Sequence, residues 1–251
     1  MKILVPLKRV PDPDSKIRLK SDGSGLDMDG IKFAINPFDA IALEEALRIR
    51  EQLGAADILV VGIGSIECQE QLRAGLAMGA DRGLLVRCDL PTDSLAVAKL
   101  LAAICRQEKP DLVLLGKQAI DDDSNQTGQM LAALLELGQA TFVSSVKLAA
   151  DAASVTCCRE TDAGIETVSV TMPAVLTADL RLNEPRYVSA LGIMKAKKKP
   201  LTETTPAELN VDATSQTVLV KLSIAPRRKA GLQVKSVDEL IQKLRVEARV
   251  I

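Results

Sequence analysis

The sequence contains no histidine. That removes the side chain most used as a general base near neutral pH and the commonest metal ligand. Tryptophan is also absent, Tyr187 is the single tyrosine, and aromatic residues make up 2% of the chain. Stacking platforms for nucleic-acid bases are therefore scarce. No apolar run approaches the ~20 residues needed to span a bilayer. The N-terminus enters a strand-like run, Ile3-Leu4-Val5, without a signal-peptide pattern. A cytoplasmic, bacterial-type location is expected. The five cysteines, Cys68, Cys88, Cys105, Cys157 and Cys158, form no C-x-x-C pair and are expected to be reduced thiols. Net charge is −1, so no global field favours nucleic acid or membrane. There is no Walker lysine pattern and no G-x-G-x-x-G. These absences argue against a self-sufficient catalyst, so no catalytic residue and no metal site is assigned. A carrier or binding protein is favoured.

What is present is a substantial apolar fraction, 47% of 251 residues, and one stretch around which the chain is organised. Asp111-Leu112-Val113-Leu114-Leu115 has the length and composition of a buried strand. Gly116-Lys117-Gln118-Ala119-Ile120-Asp121-Asp122-Asp123-Ser124-Asn125-Gln126-Thr127 follows, and Met130 to Leu135 reads as helix. In open α/β sheets ligands bind at the carboxyl ends of strands, where such loops sit. Ser124, Asn125 and Thr127 are all N-cap types, and the N–H groups of the first helical turn suit a phosphate. The three aspartates would repel that phosphate if they all faced it. They could instead accept ribose hydroxyls, hold a divalent cation, cap the helix, or form a solvated acidic turn.

Around this loop, apolar runs alternate with helical patterns. Strands are expected at Lys2 to Lys8, Asp57 to Gly64 and Gly83 to Arg87. Helices are expected from Pro37 to about Leu53, from about Ser65 to Met78, and from about Asp93 to Glu108. Asn36 as N-cap, Pro37 at the first position and Gly54 at the end mark the first helix. The alternation predicts βαβ units in a mainly parallel, doubly wound α/β sheet of Rossmann or flavodoxin-like type. Thr141 to Leu148, Ser154 to Arg159, Glu166 to Met172 and Ala174 to Ala178 are β-rich with no helices between them, and predict added antiparallel strands with a hairpin turn at Gly164. Cys157 and Cys158 would point to opposite faces. Composition shifts at Arg186, so residues 1–185 are expected as a nucleotide-binding domain and 186–251 as a recognition loop with a C-terminal arm. In that arm Pro200 to Ser215 shows little periodicity. Ser236-Val237-Asp238-Glu239 is a capping box opening an amphipathic helix. A lone amphipathic helix cannot form its own core, so it must lie on its own domain or another chain.

Six blocks taken together resemble the small (beta) subunit of electron-transfer flavoprotein. They are Lys8-Arg9-Val10, Asn36-Pro37-Phe38, Met78 to Gly83, Gly116 to Met130, Ala178 to Tyr187 and Ile193 to Lys199. The resemblance implies a heterodimer with an alpha subunit that holds most of one FAD, and an AMP buried in the small subunit as a structural ligand. It implies electron acceptance from dehydrogenases, such as those of acyl-CoA, and delivery to a membrane quinone oxidoreductase, hence a carrier of fatty acid oxidation rather than an enzyme.

Carried over by position, the AMP pocket would use Pro6, Asn36, Pro37, Phe38, Asp39, Ile63 and the loop from Gly116 to Thr127. Pro6 lacks an N–H, so a backbone donor is lost there. Phe38 falls where the family packs an aromatic on the flavin, and Pro13 stands where some members have a flavin-contacting tyrosine. Glu160 matches an acid that pairs with an arginine of the alpha subunit. Tyr187, Ala190, Leu191, Ile193, Met194, Lys195, Lys197 and Lys198 would recognise the dehydrogenase. An ungapped alignment puts Ala190 at the anchor position, and Leu191, freed by Gly192, is the expected anchor. A bifurcating branch carries a second FAD in place of AMP, with a loop closer to D-G-D-T-A-Q-V-G. Asp122, Ser124, Asn125 and Thr127 match the AMP-binding branch. Two other classes compete: a nucleotide-hydrolysing enzyme using Lys117 and the aspartates, and a nucleic-acid binder resting on Lys195 to Lys199.

Overall fold

The structure, a computed structural model, describes residues 1–226 and 230–251. Residues 227–229, which fall within the expected arm, lie outside the described part. Two compact units are distinguished: residues 1–17 with 28–219, and residues 18–27 with 220–251.

Among the described residues, the larger unit is built on a nine-stranded sheet. In chain order its elements are β1 (Lys2–Pro6) and β2 (Arg9–Pro11). The smaller unit contributes β3 (Arg18–Leu19) and β4 (Leu26–Asp27). There follow β5 (Phe33–Ile35), α1 (Pro37–Leu53), β6 (Asp57–Gly64), α2 (Gln69–Met78), β7 (Arg82–Arg87), α3 (Ser94–Glu108), β8 (Leu112–Gly116) and α4 (Thr127–Leu135). Next come β9 (Gly138–Leu148), β10 (Ser154–Thr161), β11 (Gly164–Thr171), β12 (Ala174–Ala178), α5 (Ala190–Ala196) and β13 (Leu201–Thr204). The sheet order is β11-β10-β9-β12-β8-β1-β6-β7-β13.

Alternation along the central strands explains the two layers of helices. Ile3 and Val5 face one core with Leu43, Leu47, Leu72 and Leu76 of α1 and α2. Leu4 faces the other, with Leu100, Leu101, Leu131 and Ala132 of α3 and α4. Strands buried on both faces read as the continuous apolar runs found in the sequence. The chain places β6 and β7 on one side of β1, and β8 and β12 on the other. Strand order therefore reverses around β1, and the carboxyl ends of β1 and β8 open a crevice there.

The β-rich segment is only partly antiparallel. β10 pairs antiparallel with β9 and β11, as expected, with the turn at Gly164. β12 instead runs parallel to both β8 and β9. β9 lies between β10 and β12, and its Phe142 takes a positive φ of 57°. Its first half follows β12 and its second half follows β10. Cys157 is buried and Cys158 partly exposed, as opposite faces require, and all five thiols are free. The aperiodic stretch after Pro200 also contributes to the sheet. β13 adds a parallel edge strand beside β7, and Leu209 is buried in the α3–α4 core.

Residues on both sides of the composition shift are fixed to α1. Asn183 Nδ2 donates to the Ile41 carbonyl and to Glu45. The guanidinium and backbone N–H of Arg186 donate to Glu44, at 2.8 to 3.1 Å, and Arg186 also reaches Glu51. Glu44 is 3% exposed. Burial alone would raise its carboxyl, but the bonds from Arg186 outweigh that and hold it below its ordinary value.

In the smaller unit, β3 and β4 pair across the turn at Gly23. Helix α6 (Val237–Lys243) starts at the predicted capping box: Ser236 Oγ accepts from Glu239 N, and the Glu239 carboxylate accepts from Lys235 N. Val237, Leu240 and Ile241 on this helix are solvent-exposed.

Replacing Arg186 with alanine leaves the buried Glu44 carboxylate with Arg48 as its one cationic partner among the described residues. The variant should lose about 1–3 kcal/mol, read as a fall in Tm of several degrees. A carboxyl held low contributes stability above its unfolded value, 4.5, and loses it as pH falls through the folded one. The Tm gap between wild type and Arg186→Ala should thus shrink in acid. A gap that is constant from pH 7 to pH 3 would show that Glu44 is not the group responsible.

Candidate functional site

The crevice at the strand reversal holds a cavity of about 160 Å³. Pro6, Leu7 and Lys8 at the end of β1, Val61 and Ile63 of β6, and Leu115 and Gly116 of β8 form its floor and one wall. Val97 and Leu101 of α3 extend the apolar side, and Ser124 to Gly128 at the start of α4 form the polar side. One half of the cavity thus suits a flat apolar group and the other an anion.

Asp39 sets the geometry. It lies in the first turn of α1 and is buried, and its two carboxylate oxygens accept from different strand ends. Oδ2 takes the backbone N–H of Lys8 at 2.8 Å, and Oδ1 that of Gly116 at 2.9 Å. Burial pushes the Asp39 carboxyl up to about 6 despite these bonds. Position 116 must be glycine, since a Cβ there would lie 2.4 Å from Asp39 Oδ1 and 2.6 Å from Phe38 Cβ.

Asn36 occupies the N-cap position of α1, but its side chain makes no cap bond. It is diverted to the loop, where Nδ2 donates to the Gln118 carbonyl and Oδ1 accepts from Ile120 N. The residue at the N-cap of α4 is Gln126, also without a side-chain cap bond. Ser124, Asn125 and Thr127, the expected caps, do not fill that role. Asn125 adopts a positive φ of 49° and accepts from the Gln129 side chain. Thr127 and Gly128 of the first turn of α4 line the cavity, and no side chain caps the helix there.

The three aspartates are each engaged within the chain. Lys8 Nζ bridges Asp121 at 2.8 Å and Asp122 at 2.9 Å. Asp122 also accepts from Ser124 N, and Asp123 accepts from the Gln118 amide. Burial lowers the Lys8 ammonium, but the bonds to Asp121 and Asp122 outweigh it and leave Lys8 above its ordinary value. Lys8 was quoted from the sequence only as part of a block. Its partners lie more than a hundred residues away, so no local pattern could reveal the contact. Asp93 was likewise missed as a wall residue. Its Oδ1 caps α3 by accepting from Ala96 N, and its Oδ2 accepts from Gln216 N and Ser215 Oγ.

A second, more open cavity of about 500 Å³ is lined by Lys117, Phe142, Arg159, Glu160, Thr161, Asp162, Asp179 and Arg181. Lys117 borders both cavities. Its ammonium pairs with buried Asp179 at 2.8 Å, and lies 4.8 Å from the Phe142 ring centroid and 5.5 Å from that of Phe38. Phe38 itself is 5% exposed and borders neither cavity. The aromatic on the wall is Phe142. Glu160 forms an ion pair with Arg181 of the same chain.

The segment after Arg186 presents an apolar surface. Tyr187 is fully exposed, and Val188, Leu191, Ile193 and Met194 are exposed around α5. Ser189 caps the helix through Gly192 N. Gly192 is used for packing rather than for re-aiming the backbone, because a Cβ there would lie 2.6 Å from the Ala77 carbonyl of α2. In the basic cluster Lys195, Lys197 and Lys198 are exposed, whereas Lys199 donates to the carbonyls of Leu76 and Ala80 at the end of α2. Lys199 is thus a helix C-terminal cap, and not part of a solvated patch.

Comparison with known proteins identifies the family. Residues 25–209 match the electron transfer flavoprotein domain. The chain is 53% identical to the electron transfer flavoprotein subunit beta of Bradyrhizobium diazoefficiens, over the full length of both. It is 51% identical to the mitochondrial subunit beta of Arabidopsis thaliana, again over both full lengths, and 47% identical to the subunit beta of Homo sapiens, over all of this chain and 99% of that one. The chain belongs to the electron transfer flavoprotein family, as a small (beta) subunit.

Of the residues carried over from the family, Pro6, Asn36, Asp39, Ile63, Gly116, Lys117, Gln118, Ala119, Asp122, Ser124, Asn125, Gln126 and Thr127 all line the first cavity. Pro37, Phe38, Ile120, Asp121 and Asp123 are not among the residues that line it. No described helix is long and apolar enough to cross a membrane.

Asp39→Asn keeps the shape of the side chain but turns one acceptor into a donor facing an N–H. It should cost about 1–3 kcal/mol. A carboxyl raised from 3.8 to about 6 lends stability below the unfolded value and loses it as pH rises through the folded one. The Tm advantage of wild type over Asp39→Asn should therefore narrow between pH 4 and pH 7. Thermal melts across that range check it, and an advantage growing with pH would contradict the assignment.

Proposed function

We propose that this chain is the small subunit of a heterodimeric electron carrier, that it holds AMP in the first cavity, and that it encloses one side of an FAD carried mainly by an alpha subunit. The observation that carries the reading is the first cavity itself: an apolar wall beside the open N-terminus of α4, at the point where strand order reverses. Val61, Ile63, Val97 and Leu101 would take the purine. The hydroxyls of Ser124 and Thr127 and the N–H groups of α4 would take one phosphate.

The second cavity fits the edge of a flavin. Phe142 offers a ring, Lys117 and Arg159 offer donors, and the Lys117–Asp179 pair fixes the Lys117 ammonium. When bound, FAD would supply the redox chemistry. The protein residues would orient it, exclude water from that edge and hold charge near it. Glu160, now paired with Arg181, could exchange that partner for an arginine of the alpha subunit. The exposed apolar residues of the smaller unit, among them Val237, Leu240 and Ile241, supply the kind of surface an alpha subunit would cover. The exposed apolar residues around α5 would dock acyl-CoA and related dehydrogenases, with Lys195, Lys197 and Lys198 steering acidic surfaces. Electrons would leave toward a membrane quinone oxidoreductase.

Denaturing the purified complex should release FAD and AMP together. Ser124→Ala with Thr127→Val should lower AMP content and leave the flavin spectrum unchanged, since each lost bond to a charged phosphate is worth roughly 1.5–3 kcal/mol. Two FAD per heterodimer without AMP would support the bifurcating type instead.

Leu191 is 59% exposed and so available as an anchor. Burying one leucine contributes roughly 1.5–3 kcal/mol, about ten- to a hundredfold in affinity. Leu191→Ala should slow electron acceptance from the native dehydrogenase by that factor at sub-saturating carrier. Bound AMP and Tm should not change. An unaltered rate would place the anchor elsewhere.

A further inference from the structure

The first cavity is bordered by two cations, Lys8 and Lys117, and neither is available to a ligand. Lys117 is held by Asp179. Lys8 is held by Asp121 and Asp122 at once, in a bridge that joins the end of β1 to the loop after β8. The side chains of this bridge are between 30% and 49% exposed, which puts it at the rim of the cavity. Asp122 also lines the cavity. What the cavity offers an anion is thus a set of neutral donors, the N–H groups at the start of α4 and the hydroxyls of Ser124 and Thr127.

We propose that Lys8, Asp121 and Asp122 form a specificity clamp that admits a nucleoside monophosphate and rejects the same nucleoside carrying a second phosphate. The inference rests on the nucleotide reading of this cavity and goes beyond it, because it names what sets phosphate number. One phosphate is served by a helix N-terminus and hydroxyls. A second adds negative charge and needs a cation, as in sites built for polyphosphates. Here the nearest cation is consumed, and the rim adds two carboxylates against one ammonium. A diphosphate, free or as part of a dinucleotide, meets a net negative edge. Removing the carboxylate charges reverses the selection, since the same ammonium then becomes free to pair with the second phosphate.

The test is a competition. The full-length chain is incubated with equimolar AMP, ADP and FAD, separated from unbound ligand and denatured, and the released nucleotides are quantified by mass spectrometry. Wild type should retain AMP over ADP and FAD by at least about tenfold. Asp121→Asn with Asp122→Asn should narrow the AMP-to-ADP ratio roughly ten- to a hundredfold, the effect of one freed charge a few ångströms away at the effective dielectric of a protein surface. Lys8→Met, which leaves the carboxylates unneutralised, should widen it. If the double variant does not fold, Asp122→Asn alone is judged by the same ratio. ADP retained as well as AMP by wild type, an unchanged ratio in the Asn variants, or a narrowed ratio in Lys8→Met overturns the clamp while leaving the nucleotide reading intact. No nucleotide retained by folded wild type overturns the nucleotide reading, and the clamp with it.

Discussion

The site depends on one buried carboxylate. Asp39 joins the carboxyl ends of β1 and β8, two adjacent central strands, to the start of α1. A charge so placed is costly to desolvate, and its pKa near 6 records that cost. Two backbone N–H bonds and the positive end of the α1 dipole offset it. In return, three elements far apart in sequence are held in fixed register. With Lys8 N tied to Asp39, the Lys8 side chain is aimed at Asp121 and Asp122. With Gly116 N tied to the same group, the following loop begins where Asn36 can catch its Gln118 carbonyl and Ile120 N–H. Asn36 and Asp39 thus belong to one device, and this explains why Asn36 gives up its capping bond.

The ion pairs around the two cavities share a pattern. Lys8 is matched to Asp121 and Asp122, Lys117 to Asp179, Arg181 to Glu160 and Asp179, and Arg186 to Glu44 and Glu51. Exposed pairs of this kind contribute little to stability. The pairs with a nearly buried acid, Glu44 or Asp179, are different, because each acid is matched in the interior by two cationic partners. They fix where segments lie rather than adding net stability. The segment from Ala178 to Arg186 is pinned this way at both ends, and it delivers the chain to α5 with its apolar side chains outward.

Much of the fold was legible in the sequence because its signals are local. The apolar runs of β1, β6, β7 and β8 reflect burial on both faces, and Asn36-Pro37 with Gly54 bounded α1 to the residue. What was hidden depends on distant partners. Ala174 to Ala178 reads as a strand, but nothing local says that it pairs parallel with β8, since its partners there, Leu112 to Gly116, lie some sixty residues earlier. Leu201 to Thr204 lacks any pattern of its own and becomes a strand only because the β7 edge is open to it. In the site, the residue types of the loop drew attention to a segment that lines a cavity, but not to who bonds whom. Ser124 and Thr127 look like caps and are not, and Lys199 looks like part of a basic surface and instead ends α2.

Lys117 shows why the two cavities should be considered together. Its ammonium is almost wholly enclosed, with one carboxylate and two aromatic rings around it, and it borders both spaces. A lysine so held cannot move toward one cavity without leaving the buried Asp179 to Arg181 alone. Lys117 lies on the loop that lines the first cavity, and its partner Asp179 lies on the wall of the second. The backbone adds to the coupling, because Lys117 N donates to the Ala178 carbonyl, immediately before Asp179. If the two cavities are filled as proposed, a ligand that takes no part in redox chemistry would still matter to it, through the wall that Lys117 shares.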